Sequence, residues 1–330
     1  MFEHCEIQGI KFEPARFCAP MAGYTHSAFR RLVSEFGGCG AFWTEMLSAR
    51  QLINEDFQAS PWLKRKPSEK FTVYQLMVRV GDQLDRALGR LEENGVEAID
   101  INFACDAPHI RSLQSGSALF GDIEALKWII SNARQRWNGL LFVKIRLGDR
   151  KPQWQGILKE RLELFQDYGA NAVIVHPRFF EDKFKRSARH DVLGWISSIV
   201  KIPIIASGDI TCKNDIERLA DRLSPASAIM LGRITVVKPW IFAAWDRGIS
   251  VDYRSVWVKM RDYILEDFEP LVAISRLKMF TKYYSANFLF GRHFYTQVYN
   301  AKTIEEISEI AEIFFSKNPQ IVSNVLVANW

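Results

Sequence analysis

Eight short apolar runs, each ending in polar or glycine residues, recur along the first three quarters of the chain. They restrict its fold more than any other feature. The runs are Arg16–Pro20, Ala41–Glu45, Phe71–Gln75, Ala98–Asn102, Leu141–Arg146, Ala172–His176, Pro203–Ser207 and Ala226–Leu231. Several are almost continuously apolar, as in Ala172-Val173-Ile174-Val175 and Ile202-Pro203-Ile204-Ile205. A strand with one wet face alternates apolar and polar residues, whereas a continuous run fits a parallel strand covered on both faces. Between the runs, Asp82–Asn94, Ile123–Trp137 and Leu158–Tyr168 space their apolar residues at the helical period. Strand and helix alternating eight times over about 250 residues predicts an α/β chain folded as a (β/α)8 TIM barrel. Past Trp245 the strand pattern stops. Tyr253–Phe268, Leu271–Ser285 and Ile304–Phe315 read as helices, the last with the stripe Ile304-Ile307-Ile310. The expected division is a barrel domain over residues 1–245 and a C-terminal helical domain over 246–330.

In such a barrel the chemistry sits at the carboxyl ends of the strands. Read in order, those ends carry Ala19-Pro20-Met21-Ala22-Gly23, Glu45, Gln75, Asn102 with Cys105, Lys144 with Arg146, His176 with Arg178, Ser207-Gly208-Asp209, and Gly232-Arg233. One polar residue at a strand end is unremarkable, because strands must stop. Polar or charged side chains at seven ends of eight describe a polar, partly cationic pocket. The glycines after the seventh and eighth runs let backbone N–H groups approach an anion, and Arg233 adds a forked charge. A phosphate-bearing cofactor is expected there. No GxGxxG follows any run, so a separate dinucleotide domain is not indicated. Cys105, three residues after Asn102, is a candidate nucleophile or acid; its bland alternative is a small buried hydrophobe.

The five cysteines are scattered and form no CxxC pair, which argues against zinc and against a disulfide framework. No metal site is expected. No run of 18 uncharged apolar residues exists, and the N-terminus lacks a basic start followed by an apolar stretch. A cytoplasmic protein with no membrane partner follows, and a monomer is expected. A net charge of +5 is compatible with an anionic partner without requiring one. Lys183, Lys185 and Arg186 form a local basic cluster, as do Lys64, Arg65 and Lys66. In the tail, Arg276, Lys278 and Lys282 are interleaved with Phe280, Tyr283 and Tyr284. Such interleaving suits nucleic acid, and equally suits an aromatic core under a basic surface.

Ala19-Pro20-Met21-Ala22-Gly23-Tyr24-Thr25 with Ser27-Ala28-Phe29-Arg30 resembles the opening of the tRNA-dihydrouridine synthases. So do Thr44-Glu45-Met46, Asp100-Ile101-Asn102 with Cys105, Val143-Lys144-Ile145-Arg146, His176 with Arg178, Ser207-Gly208-Asp209-Ile210, and Gly232-Arg233 followed by Lys238-Pro239-Trp240-Ile241-Phe242. The motifs keep the family's order from Ala19 to Phe242, and the tail resembles the family's RNA-binding domain more weakly. The resemblance implies an oxidoreductase acting on a CH–CH bond, with FMN as cofactor, NADPH as reductant and tRNA as substrate. By that likeness Pro20, Met21 and Gln75 lie against the flavin, and Lys144 and His176 reach its ring and ribityl edge. Ser207, Gly208, Asp209, Gly232 and Arg233 hold the ribityl and phosphate end. Asn102, Arg146 and Arg178 face the uracil, and Lys183, Lys185, Arg186, Arg276 and Lys278 face the RNA. Hydride passes from flavin N5 to uracil C6, and Cys105 protonates C5. The target base must leave its stack to arrive there.

The chain departs from the family pattern around the cysteine. Asp106 stands where a proline usually follows, His109 where a lysine is usual, Pro177 between the histidine and arginine in place of glycine, and Ser207 in place of asparagine. A carboxylate beside the thiol would favour its protonated form. Two other readings stay open on sequence alone. One is a flavin-binding RNA-binding protein with lost or weakened catalysis; the other is an FMN barrel acting on a small pyrimidine.

Overall fold

The computed structural model describes residues 1–323 and 325. A two-stranded antiparallel hairpin, β1 (Cys5–Ile7) and β2 (Ile10–Phe12), precedes the barrel. The strands that follow are β3 (Arg16–Cys18), β4 (Ala41–Trp43), β5 (Leu47–Ser48), β6 (Thr72–Met77), β7 (Ala98–Asn102), β8 (Leu140–Ile145), β9 (Ala172–Val175), β10 (Ile204–Ser207) and β11 (Ala228–Leu231). All of these pairs are parallel, and the ring closes through β11 on β3 and β4 on β6, with β5 a short addition beside β6. The eight barrel strands fall in the eight apolar runs, with ends moved by a residue or two.

Between the strands lie α1 (Ser27–Phe36), α2 (Ala49–Leu52), α3 (Leu84–Glu93), α4 (Pro108–Ser112), α5 (Ser117–Phe120), α6 (Ile123–Arg136), α7 (Trp154–Asp167), α8 (Leu193–Ile199), α9 (Lys213–Arg218) and α10 (Ala220–Leu223). After β11 come α11 (Ile234–Val237), α12 (Tyr253–Asp267), α13 (Pro270–Tyr284), α14 (Gly291–Asn300) and α15 (Ile304–Ser316). Of the helices of ten residues or more, the sequence reading named no range for α1 or α14. The first is amphipathic and buries Phe29, Leu32 and Val33. No helix among the described residues is long and apolar enough to cross a membrane.

Alternation along each strand sends every second side chain inward. Phe17 from β3, Trp43 from β4 and Phe142 from β8 meet in the lower interior, with ring centroids 5.4 Å apart for each neighbouring pair. Polar side chains begin one layer above them. Behind the helices the C-terminal region has its own aromatic core of Trp257, Phe280, Tyr284, Phe288, Phe294 and Phe315, all buried. Most tail aromatics are therefore packing residues, as the bland reading had it; Tyr283 is only half-buried.

A buried ion pair ties α1 to the connection before β6. Arg30 and Glu69 have fully buried side chains, and Arg30 Nε lies 2.6 Å from Glu69 Oε2. Arg30 Nη1 donates to Thr25 O and Nη2 to Lys64 O, each at 2.7 Å. Glu69 also accepts from Lys66 N and Thr72 Oγ1. The desolvation cost of such a pair is offset only because every partner is present, so removing one member strands a buried charge. Glu69→Gln and Arg30→Met are each expected to cost about 3–5 kcal/mol. Urea denaturation of the variants checks this, with the double variant costing less than the sum.

Candidate active site

The interior layer above the aromatics begins with a buried carboxylate, Asp100 on β7. Its Oδ2 accepts from Gln75 Nε2 at 2.7 Å and from Trp43 Nε1 at 3.0 Å. Burial pushes its carboxyl up to about 7, against the pull of Gln75 and of the Lys144 ammonium. Lys144 is drawn down to about 8, first by burial, with Asp100 opposing. The acceptor role of Asp100 decides the orientation of two amides. Gln75 must present its NH2 downward, which leaves its Oε1 to accept from Asn102 Nδ2 at 2.9 Å. Asn102 then has only its Oδ1 to offer, and that oxygen accepts the backbone N–H of Ala104 at 3.0 Å and of Cys105 at 2.8 Å. A buried acid in the barrel thus fixes the loop that carries the thiol.

Cys105 is half-buried on that loop, and its carbonyl accepts from Ser117 N at 2.8 Å. Asp106 is tied away on the α4–α5 side, where Oδ1 accepts from Ser117 Oγ at 2.8 Å and pairs with Arg111 at 3.2 Å. His109 is exposed on α4 and stands outside the cavity lining.

Beside this loop, from the end of β8 onward, the wall is cationic. Arg146 is 8% exposed, and its Nε and Nη1 have no hydrogen-bond partner. Burial pulls its guanidinium below the ordinary value, with Asp106 opposing. Arg178 is differently placed, since each of its three nitrogens is engaged. Nη2 holds both oxygens of Asp209 at 2.5 and 2.6 Å, Nε donates to Arg186 O at 2.5 Å, and Nη1 lies 2.8 Å from His176 Nε2. An arginine cannot accept, so His176 Nε2 accepts and the neutral ring carries its proton on Nδ1. Burial holds His176 well below the usual histidine range, and the charges of Lys144, Arg146, Arg178 and Arg233 add to that. Gly208 permits this close packing. A Cβ there would stand 2.7 Å from His176 Cδ2, and its φ of +103° is one that other residues avoid. Phe184 lies over the group, with Arg233 4.5 Å from its ring centroid, Arg146 5.7 Å and Arg178 6.0 Å.

These walls enclose a cavity of about 620 Å³. Pro20, Met21, Gln75, Asn102, Cys105, Lys144, Arg146, His176, Arg178, Ser207, Gly208, Asp209, Gly232 and Arg233 all line it. The structure does not bring Lys183, Lys185, Arg186, Arg276 or Lys278 to that lining. Lys183, Lys185 and Arg186 are exposed on the loop beyond β9. Arg276 is directed at Glu45, 3.8 Å away, and Lys278 Nζ donates to Ala301 O at 2.6 Å within the helical region. Sequence reasoning missed Tyr24, Phe184 and Tyr283 as lining residues, and missed what Asp100 does. Period-two spacing of Asp100 with Asn102 was the available signal for the last.

A model of the family described as dihydrouridine synthase matches residues 17–285, which span every strand of the ring but the first residue of β3. The probable tRNA-dihydrouridine synthase of Helicobacter pylori strain J99 is 30% identical over 260 residues, covering 78% of this chain and 76% of that protein. The chain belongs to the dihydrouridine synthase family. The tRNA-dihydrouridine synthase B of Pasteurella multocida is 29% identical over 236 residues, 72% of this chain and 70% of that one. Among solved structures, the old yellow enzyme homologue of Zymomonas mobilis superposes with a TM-score of 0.51 at 12% identity, covering 72% of this chain and 90% of that one. Histamine dehydrogenase from Rhizobium sp. 4-9 superposes with a TM-score of 0.54 at 13% identity, covering 84% of this chain and 50% of that one. At such identities these two show the shared barrel fold.

The buried histidines give the family member a pH dependence that can be checked. His26 and His176 both lie well below the ordinary 6.5, chiefly through burial. Below 6.5 the unfolded chain takes up protons that the folded one refuses, so their contribution to stability is lost as pH falls through that value. The stability of the wild type relative to His26→Gln should decline by about 1.4 kcal/mol per pH unit below 6.5. Urea midpoints at pH 7.0, 6.0 and 5.0 measure it, and a constant difference would contradict the assignment.

Proposed function

We propose that this protein is an FMN-dependent tRNA-dihydrouridine synthase that reduces the 5,6 double bond of uridines in tRNA with NADPH. The observation that carries the reading is one cavity lined both by the cations Lys144, Arg146 and Arg233 and by a half-buried thiol. The residues present fit an anionic, hydrogen-bonding cofactor. Lys144 and Arg233 line the cavity as cations that an anion would satisfy, and the two unpartnered N–H groups of buried Arg146 leave further donors for a second bound molecule. A Cβ built at Gly232 meets nothing nearer than 3.9 Å, so space remains beside Arg233. The relatives named tRNA-dihydrouridine synthase supply the substrate class, and the old yellow enzyme likeness agrees with a barrel suited to flavin.

FMN, when bound, would supply the hydride for uracil C6. Pro20, Met21 and Gln75 would lie against its ring, and Lys144 would set a positive charge at its edge. Ser207, Gly208 and Gly232 would receive the ribityl and phosphate end, with Arg233 paired to the phosphate. Asp209 serves there by holding Arg178. Arg146 is the cation with donors free for the uracil carbonyls, whereas Asn102 and Arg178 act by fixing the loops around it. Cys105 Sγ would deliver the proton to uracil C5. The barrel over 1–245 would carry this chemistry, and the helical region over 246–330, with the exposed Lys183, Lys185 and Arg186, would hold the RNA.

The purified protein should be yellow and should release FMN. Arg233→Ala should weaken FMN binding by about 1.5–3 kcal/mol through loss of a charge-assisted contact. Fluorescence titration measures it, and a colourless protein that cannot be reconstituted would defeat the reading.

Cys105→Ala should leave reduction of the flavin by NADPH unchanged and slow its reoxidation by tRNA by about 10²–10⁴-fold. Stopped-flow absorbance separates the two half-reactions. Equal tRNA-dependent rates in the variant and the wild type would remove the acid from Cys105 and favour a binding protein with weakened catalysis.

A further inference from the structure

Helix α13 lies across the loop that runs from β3 into the cavity. Arg276, Met279 and Tyr283, spaced three and four apart on one face of the helix, meet Gly23 and Tyr24 of that loop. A Cβ on Gly23 would collide with Met279 Cε and come within 3.0 Å of Arg276 Nη1. The φ of +83° at this position likewise requires glycine. Tyr24 and Tyr283 meet edge to face with centroids 5.5 Å apart, and both rings line the cavity.

Glu45, just beyond β4 and 5% exposed, joins the two sides. Its Oε2 accepts the Gly23 N–H at 2.5 Å. Its Oε1 has no hydrogen-bond partner and lies 3.8 Å from Arg276 Nη1. Burial raises the Glu45 carboxyl above its ordinary value, while Arg276 foremost, then the Gly23 amide and Arg30, favour the charged form. A buried carboxylate accepts a backbone N–H more strongly than a neutral acid does. The loop amide is thus held by a charge that an arginine of the helical region sustains.

We propose that Glu45 and Arg276 are positioning residues that hold the Pro20–Tyr24 loop in its cofactor-facing shape, so that helix α13 sets the affinity of the cavity for flavin. This rests on the FMN reading above, and it moves Arg276 from the RNA surface to the support behind the cavity's first loop.

Two measurements test it, one of which needs no flavin. Hydrogen exchange on the cofactor-free protein reads the loop directly. In Arg276→Met the amides of residues 22–25 should exchange roughly tenfold faster, while those of β7 and β8 keep wild-type protection. Fluorescence titration should show the Kd for FMN raised about tenfold in Arg276→Met and in Glu45→Gln, with the double variant no worse than either single one. Arg276→Lys should recover most of both losses. Unchanged loop exchange in Arg276→Met, additive effects on Kd, or lost protection throughout the barrel would each overturn the proposal. If the wild type binds no FMN, the flavin reading fails by itself. Loop exchange then decides whether α13 holds the loop.

Discussion

A carboxylate in a barrel interior must be given donors, and much of this site follows from how Asp100 obtains them. Trp43 and Gln75 supply two, and Lys144 supplies a compensating charge nearby. Once Gln75 has turned its NH2 toward Asp100, its oxygen can only accept, so Asn102 must donate to it. Asn102 is left with one oxygen, and the N–H groups of the thiol loop are the donors that take it. Asp100 Oδ1 keeps no hydrogen-bond partner, but from Oδ2 onward each step has one choice that sets no donor against a donor. A single acidic residue thereby propagates an orientation from the barrel centre to a loop at its mouth.

The same layer holds more positive charge than negative. Asp100 and Asp209 face Lys144, Arg146, Arg178 and Arg233, and Asp209 is already consumed by Arg178. His176 sits among these cations and is kept neutral by them and by burial. The fold therefore holds like charges close together in a region partly closed to water, which opposes stability and favours an anionic ligand. Arg146 is buried in this region with two N–H groups unused.

The barrel was legible because burial on both faces writes continuous apolar runs, and each of the eight ring strands overlaps one of them. Strand ends then named sixteen cavity residues, Ala19 and Ala22 among them, since inward alternation and the carboxyl-end rule act on each strand alone. What escaped depended on two segments meeting. Nothing local to Phe184 says that its loop folds over Arg233, and nothing local to Arg276 says that it faces Glu45. A basic residue beside aromatics in a helix reads the same whether it meets phosphate or a buried acid. The departures at Asp106 and His109 drew attention to the thiol. In the fold Asp106 is spent on Ser117 and Arg111, and His109 faces solvent.

The helical region is bound to the barrel through charged and buried contacts along α1 and the end of the ring. Tyr263 and Lys259 of α12 both contact Glu35 of α1, and Arg31 pairs with Glu266 while its guanidinium lies 3.6 Å from the Tyr263 ring centroid. Lys64 reaches Asp267, whose side chain is almost fully buried. Deeper in, Asn287 Nδ2 donates to Val237 O at 2.7 Å, joining the region's core to the turn after β11. Tyr283 then contributes its ring to the cavity. On the proposed reading, a surface that binds RNA on these helices would share its support with the loop at residues 20–24. The depth at which a base enters and the shape of the floor it meets would then be set by the same packing.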